Sequence, residues 1–321
     1  MSGIKHIITD VVSYAKKTKK ESNKPMFAII IDIIWCGLYY GASPANYYKF
    51  DFYRSNHAIR RTFVTNRISR RMISKFNIHE YIDIYEDKVL FDKEFSKYIG
   101  RDWISSCNCT EAEYNEFVAN NPKFICKPLD GSQGQGITVY DGNAPKFGGG
   151  DEIFQGQYVL KGFIKQHEKL EAFYDKAVSC IRVITVLADG KVNPIVANIT
   201  FGSEYEIANA SFGGITCEID LGSGTLVSDG GQYGQRTYVT HPYSGEKFKG
   251  FVIPFWNETL EMLSEAGQKV PQVGYIGWDV AITPDGPVII EGNTTPGYTY
   301  FQIPQLLENG KGTIDKYKPY L

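Results

Sequence analysis

Residues 274 to 297 read Gly-Tyr-Ile-Gly-Trp-Asp-Val-Ala-Ile-Thr-Pro-Asp-Gly-Pro-Val-Ile-Ile-Glu-Gly-Asn-Thr-Thr-Pro-Gly, two short apolar runs around a Pro-Asp-Gly turn. Pro and Gly supply the turn dihedrals and the β-branched runs favour extended backbone, so this stretch commits the chain to an antiparallel hairpin. Trp278, Val280 and Ile282 alternate on the first strand, which sends Asp279 to the face opposite their apolar set. On the second strand the run Val288 to Ile290 ends in Glu291, Gly292 and Asn293. With Thr283 to Pro287 as the turn, Asp279 and Glu291 fall on neighbouring strands, and Asn293 follows on the same face as Glu291. Two carboxylates and an amide oxygen so placed form a hard-oxygen site suited to Mg²⁺ that keeps waters and meets phosphates. The alternative is a hairpin with acidic residues on its wet face.

A chain of 321 residues is long enough for a large core divided into about two lobes. Its net charge of −2 gives no whole-protein field favouring nucleic acid or anionic membrane. The 22 tyrosines suit a surface that touches a sugar or base, and equally suit a core. Of the six cysteines only Cys107 and Cys109 are close, and no second pair stands at zinc-ligand spacing. All six therefore read as reduced thiols of a cytoplasmic protein. The N-terminus lacks the apolar core and cleavage site of a signal peptide. Met26 to Ala42, the most apolar segment, is too short to span a membrane and carries Asp32. It reads as a buried helix, and no membrane insertion is expected.

Taken in order, residues 1 to about 25 form an amphipathic helix with a lysine-rich tail, and a second helix runs from Lys24 to Tyr40 until Gly41-Ala-Ser-Pro44 stops it. Residues 45 to 78 interleave aromatics with Arg54, Arg60, Arg61, Arg67, Arg70 and Arg71. Such a run is either a solvated helix face or a cleft wall for an anionic substrate such as a uronic acid or sugar phosphate. A helix opens at Glu86-Asp87-Lys88 and ends at Gly100, Trp103-Ile104 is a short strand, and Thr110 caps a helix over Glu111 to Asn120. Later strands cover Gln157 onward, Ser179 to Leu187, Lys191 to Thr200, Ile215 to Asp220 and Thr225 to Val227. An amphipathic helix over Phe251 to Ala266 precedes the hairpin, and Tyr300 to Leu307 reads as a closing helix.

Between Lys123 and Tyr140 a strand, a Gly-rich loop (Gly131, Gly134, Gly136) and a return strand follow one another. Neither a Walker loop nor a dinucleotide fingerprint fits, since both require a helix after the glycines. A Gly-rich hairpin suits a flap whose N–H groups close over phosphates, with Lys127 placed to neutralise their charge, or a plain turn. Arg182 is a single charge within the apolar run Ser179 to Leu187, and is expected to pair with an acid or to face a ligand phosphate.

These residues together resemble the ATP-grasp superfamily, in particular its sugar-transfer-associated, alpha-L-glutamate-ligase-like branch. The resemblance is carried by Gly41-Ala-Ser-Pro44 with Tyr47 to Phe52, by Asp87-Lys88-Val-Leu-Phe91 and by Lys127-Pro-Leu-Asp-Gly-Ser-Gln-Gly-Gln-Gly136. Ser179 to Thr185 around Arg182, and Gly277-Trp-Asp279 through Glu291-Gly-Asn293, complete it. It implies an α+β ATP-grasp fold in which two antiparallel-sheet subdomains clasp ATP beside an N-terminal helical region. The corresponding division is 1–80, with the aromatic and basic series on the substrate side, then 81–165 with the flap and 166–321 with the metal site. Lys88 and Lys127 are the implied phosphate lysines, with Ser132, Gly134, Gln135 and Gly136 as the flap. The adenine hinge falls on Leu160 to Ile164, where Lys161 replaces the usual acid and the backbone of Gly162 and Phe163 serves; Glu168 is the implied ribose acid. Asp279, Glu291 and Asn293 match the Mg²⁺ ligands and Arg182 a phosphate-facing arginine, so that Arg182 and Lys127 carry catalysis. The implied chemistry joins a small-molecule carboxylate to an amine through an acylphosphate, for instance an amino acid to a uronic-acid sugar of a surface polysaccharide. Alternatives are an ATP-grasp kinase acting on a sugar or small molecule, and a non-catalytic nucleotide-binding module in a polysaccharide assembly complex.

Overall fold

The computed structural model describes residues 2–130, 136–203, 213–232, 236–307 and 309–321, with side chains from residue 7 onward. Among these residues the strands form two antiparallel sheets. The first holds β1 (Trp103–Ser105), β2 (Lys123–Pro128), β3 (Thr138–Asp141) and β4 (Tyr158–Gly162) in the order β1-β4-β2-β3. The second runs β11-β10-β5-β6-β7-β8-β9. Its members are β5 (Cys180–Ala188), β6 (Lys191–Phe201), β7 (Ile215–Ile219), β8 (Gly230–Gln232), β9 (Arg236–Tyr238), β10 (Tyr275–Thr283) and β11 (Gly286–Asn293).

Each sheet buries one apolar face, and the opposite face carries the charged residues together with Val159 in the first sheet and Ile184, Val186 and Tyr275 in the second. In the first, Phe124, Cys126 and Leu160 pack under Tyr114 and Phe117 of the helix Glu111–Asn120. That helix starts where expected because Thr110 and Glu113 form a capping box, with Glu113 Oε2 accepting from Thr110 N at 2.7 Å. The opposite face presents Lys127, Val159 and Lys161, aligned by the β2–β4 register. In the second sheet, Ile181, Val183, Trp278, Val280 and Ile289 pack on Trp256, Leu263 and Ala266 of the helix Trp256–Ala266. Tyr85, Phe91 and Phe95 join this second core, Phe95 lying 5.5 Å edge-on to Trp278. The helix Lys88–Glu94 is thereby nailed to the second sheet while its polar side overhangs the first.

A bulge decides which way the end of β11 faces. Asp279 pairs with Glu291 but Val280 with Ile289, so Ile290 is an extra residue with no opposite number. Simple alternation would put Glu291 on the same face as core residue Ile289; the extra residue reverses the phase and turns Glu291 toward Asp279.

The N-terminal region comprises α1 (Ser2–Glu21), α2 (Met26–Tyr40) and α3 (Pro44–Lys49). Gly41 ends α2 in the left-handed region at φ 68°, and a side chain there would collide with Arg67. The expectation that Met26 to Ala42 is a buried helix is half right. Ile29, Ile33 and Cys36 are buried, but Phe27, Ile31, Ile34, Trp35 and Leu38 face solvent. Half of the arginine series is structural. Arg60 donates to both oxygens of Asp32 at 2.7 Å, Arg67 caps the carbonyls of Leu38 and Tyr39, and Arg54 reaches Asp51 and the Glu21 carbonyl. Arg61, Arg70 and Arg71 are exposed.

Three boundaries differ from expectation. Phe255 takes a left-handed conformation, so the helix begins at Trp256 and not Phe251. Thr225 to Val227 makes isolated bridges in place of a strand. The closing segment is two 3₁₀ turns, Thr299–Phe301 and Pro304–Leu306, because Pro304 cannot donate inside a continuous helix. Between those turns the fully buried Gln302 substitutes for a strand partner. Its Oε1 accepts from Val64 N (2.8 Å) and Thr313 N (3.1 Å), and its Nε2 donates to Val64 O (3.1 Å). Gln302→Ala strands these backbone groups in the core and is expected to cost about 3 kcal/mol in urea unfolding, with faster hydrogen exchange at Val64 and Thr313. Gln302→Leu, which fills the volume without the bonds, should be no better.

Candidate functional site

The polar faces of the two sheets and the overhanging helix Lys88–Glu94 meet in one cluster. On the second sheet Glu291, Asp279, Arg182, Asn198 and Glu218 form a single row across β11, β10, β5, β6 and β7, each in register with the next. Arg182 grips Asp279 with both arms, Nε donating to Oδ1 and a terminal nitrogen to Oδ2 at 2.6 Å. Burial nevertheless pushes the Asp279 carboxyl up to about 6; Arg182 opposes the shift and Glu291 adds to it. For Glu291 burial acts upward as well, but Lys127 and the hydrogen bond with Asp279 win and hold it below the usual carboxylate range. Asn293 Nδ2 turns to Glu291 Oε1 (3.2 Å) and Gly277 O (3.3 Å), so its Oδ1 faces away from both.

Four cations converge opposite this row. Lys127 on β2 and Lys161 on β4 share the polar face of the first sheet. Lys88 begins the overhanging helix and donates to Leu129 O at 2.7 Å, and Arg101 follows the Gly100 turn. Burial lowers all four, Lys161 down to about 7 and Arg101 to about 10. Arg101 and Lys127 depress Lys161 further, while Asp92 and Glu291 act the other way on Lys127. Lys161 Nζ meets Asp92 Oδ1 at 2.6 Å, both side chains at most 4% exposed. Arg101 donates to Gly162 O at 3.2 Å, but its Nε and second terminal nitrogen, and Asp92 Oδ2, are buried without a hydrogen-bond partner. In a folded interior such atoms are uncommon and mark a polar ligand site or stored strain.

The structure thus brings together Lys88, Lys127, Lys161, Arg182, Asp279, Glu291 and Asn293. Lys161 does not reach outward from the strand; it is locked on Asp92. Gly162 N donates to Asp102 O and Phe163 N to Lys123 O, so neighbouring strands already use both hinge N–H groups. Phe163 is exposed under Lys123 Nζ, 4.4 Å from its ring centroid. Glu168 is exposed at the start of the short helix Glu168–Glu171. Ser132, Gly134 and Gln135 lie outside the described residues; Gly136 closes the loop at φ 72° beside Pro128. Sequence reasoning missed Arg101 and Asp92. The one available signal was an arginine directly after a helix-ending glycine, and nothing local marks it as buried.

Two antiparallel α+β halves with charged faces turned toward each other define the ATP-grasp class of fold. Residues 145–315 match the sugar-transfer associated ATP-grasp family, and the chain belongs to that family. No curated protein matches the chain. Among solved structures it is similar to the ATP-grasp ligase PsnB complexed with minimal precursor, Mg and ADP, at 13% identity and a TM-score of 0.43 over 73% of this chain and 59% of that one. It is also similar to the D-alanine–D-alanine ligase of Bacillus anthracis complexed with ATP, at 14% identity and a TM-score of 0.39 over 67% of this chain and 56% of that one. A third is the N5-carboxyaminoimidazole synthetase of Staphylococcus aureus complexed with ADP, at 10% identity and a TM-score of 0.44, over 68% and 47%. The chain spans less than two thirds of each, and likenesses this distant carry no functional argument.

The Lys161–Asp92 pair has a direct test. Removing one partner of a buried pair leaves an uncompensated charge, so Asp92→Asn should cost about 3 kcal/mol in urea unfolding, whereas the double change Asp92→Leu with Lys161→Met should recover most of it.

Proposed function

We propose that this chain is a Mg²⁺- and ATP-dependent ligase that joins a carboxylate to an amine through an acylphosphate. The observation that carries the reading is the set of four cations, Lys161 buried and Lys88, Lys127 and Arg101 half-buried, each held below its ordinary value by burial and facing a carboxylate pair. Such a cluster is destabilised by its own charge and is relieved by a polyanion with a dication, as a nucleoside triphosphate with Mg²⁺ provides. Asp279 and Glu291 are hard-oxygen donors standing directly opposite on adjacent strands, and Mg²⁺ would take up Asp279 oxygens that Arg182 otherwise holds. When bound, Mg²⁺ would neutralise phosphate charge.

Lys88, Lys127 and Arg101 would bind the phosphates and hold them in line, and Arg182 would orient Asp279 and face the developing charge. In the reaction, a substrate carboxylate oxygen attacks the γ-phosphorus and ADP leaves; the amine nitrogen then attacks the acyl carbon, loses a proton, and phosphate leaves. The flap at Ser132 to Gly136 would cover the phosphates, with the hinge at Lys161 to Phe163 and Glu168 on the nucleoside side. We assign 81–165 and 166–321 as the halves of the clasp and 1–80 as the substrate-side region. The acid and amine are drawn from amino acids and sugar-linked compounds such as uronic acids of a surface polysaccharide, in keeping with the family's sugar-transfer association, and the reaction is assigned to the cytoplasm.

A ligase releases ADP only when acid and amine are both present, and hydroxylamine traps its intermediate; ADP release with a sugar alone and no trapping would convert the assignment to a kinase. Glu291→Ala is expected to abolish Mg²⁺-dependent ADP release with an unchanged circular dichroism spectrum, and full activity in that variant would sink the site assignment. Arg101→Leu should act with opposite signs, raising stability to urea by about 1 kcal/mol and weakening ATP binding about tenfold, because its buried nitrogens are satisfied only by ligand.

A further inference from the structure

The outer side of α2 is an apolar surface that no element among the described residues covers. Phe27, Ile31, Ile34, Trp35, Leu38 and Tyr39 recur at helical spacing along it and are between 47% and 72% exposed. The stripe is about 18 Å long at 1.5 Å per residue. The turn at 22–25 folds α1 back beside α2, and α1 carries exposed Ile7, Ile8 and Val12 of its own. A helix apolar on all sides is normally enclosed, and contiguous exposure of this kind marks a docking surface.

Charge indicates what covers it. Between Lys16 and Tyr40 stand five lysines (Lys16, Lys17, Lys19, Lys20 and Lys24) and two acids, Glu21 and Asp32. All five lysines are exposed. Both acids are drawn inward, Glu21 by the hydroxyls of Tyr48 and Tyr53 and Asp32 by Arg60 and Tyr47. At the far end exposed Arg67 lies on the carbonyls of Leu38 and Tyr39. The stripe is therefore bordered by cations at both ends. In a two-fold dimer the same patch meets itself, so these borders would oppose like charges in either orientation. An anionic surface complements them. Trp35 and Tyr39 stack at 5.5 Å toward one end of the stripe, and such amphipathic rings favour a bilayer's headgroup level.

We propose that the outer face of α2, together with the lysines of α1, docks this protein on an anionic lipid bilayer. Phe27, Ile31 and Leu38 enter the boundary of the acyl chains, Trp35 and Tyr39 lie among headgroups, and the lysines meet lipid phosphates. The contact is interfacial: no helix among the described residues is long and apolar enough to cross a membrane. Since the whole chain carries a net charge of −2, the attraction is local and weakens with salt.

The test is flotation of the full chain with phosphatidylcholine vesicles, pure or containing roughly 30% phosphatidylglycerol. Binding to the mixed vesicles is expected, at least about tenfold weaker on pure phosphatidylcholine and weaker in high salt. A blue shift of tryptophan emission should accompany it and vanish in Trp35→Phe. Leu38→Glu should abolish binding, and its exposed position should leave the urea midpoint unchanged. Replacing Lys16, Lys17, Lys19 and Lys20 by Ala keeps the stripe and should weaken binding to the mixed vesicles alone. A solution dimer in light scattering that Leu38→Glu dissociates, equal binding to both vesicles, or binding to neither would each overturn the proposal.

Discussion

A single ion pair, Arg182 on β5 gripping Asp279 on β10, sets the terms for much of this molecule. The two residues stand in register on neighbouring interior strands of a sheet whose other face is strongly apolar. Neither charge is tolerable there alone, so the register of β5 against β10 is fixed by charge as well as by the alternation of Ile181, Val183, Trp278 and Val280. In register with the pair on that face stand Glu291 on one side and Asn198 and Glu218 on the other.

The facing half of the cleft is built on the contrary principle. Lys127, Lys161, Arg101 and Lys88 lie together where burial opposes their charges, neighbouring cations further oppose those of Lys127 and Lys161, and Asp92 pairs with Lys161. Tyr85, Phe91 and Phe95 make this arrangement possible, since the helix carrying Lys88 and Asp92 is bolted by its apolar side to the second sheet. Stability supplied by one core holds an unfavourable constellation at the edge of another, the usual bargain at a functional site. Glu291, whose charge is felt by both Lys127 and Arg182, links the two halves.

The N-terminal region follows a third logic. Glu21 and Asp32 face inward and Arg54, Arg60 and Arg67 hold carbonyls and carboxylates, while Gln302 joins the region to the C-terminal turns. Tyr298, five residues beyond Asn293, donates to Asn66 at 2.6 Å, so the loop leaving the carboxylate row is anchored on this region. What remains unmatched is the outer face of α2.

Local pattern was enough to place the hairpin around Pro284 and Asp285, the capping box at Thr110, the stop at Gly41 and the face on which Asp279 lies, because each depends on residues within a few positions of one another. Local pattern also raised both outcomes for Arg182, an acid or a phosphate, and the structure shows the acid. It could not reveal Lys161 bound to Asp92, 69 residues away, or the burial of Arg101, since both follow from how two sheets and a helix are stacked. Glu291 reaches the right face only through the bulge at Ile290, a feature of strand pairing and not of composition. The N-terminal helix makes the same point in reverse. The sequence by itself determined that α2 is apolar around most of its circumference, Asp32 apart; only the tertiary structure decided that one side has nothing packed against it among the described residues, because hydrophobicity states what a face requires and the fold determines whether it is supplied.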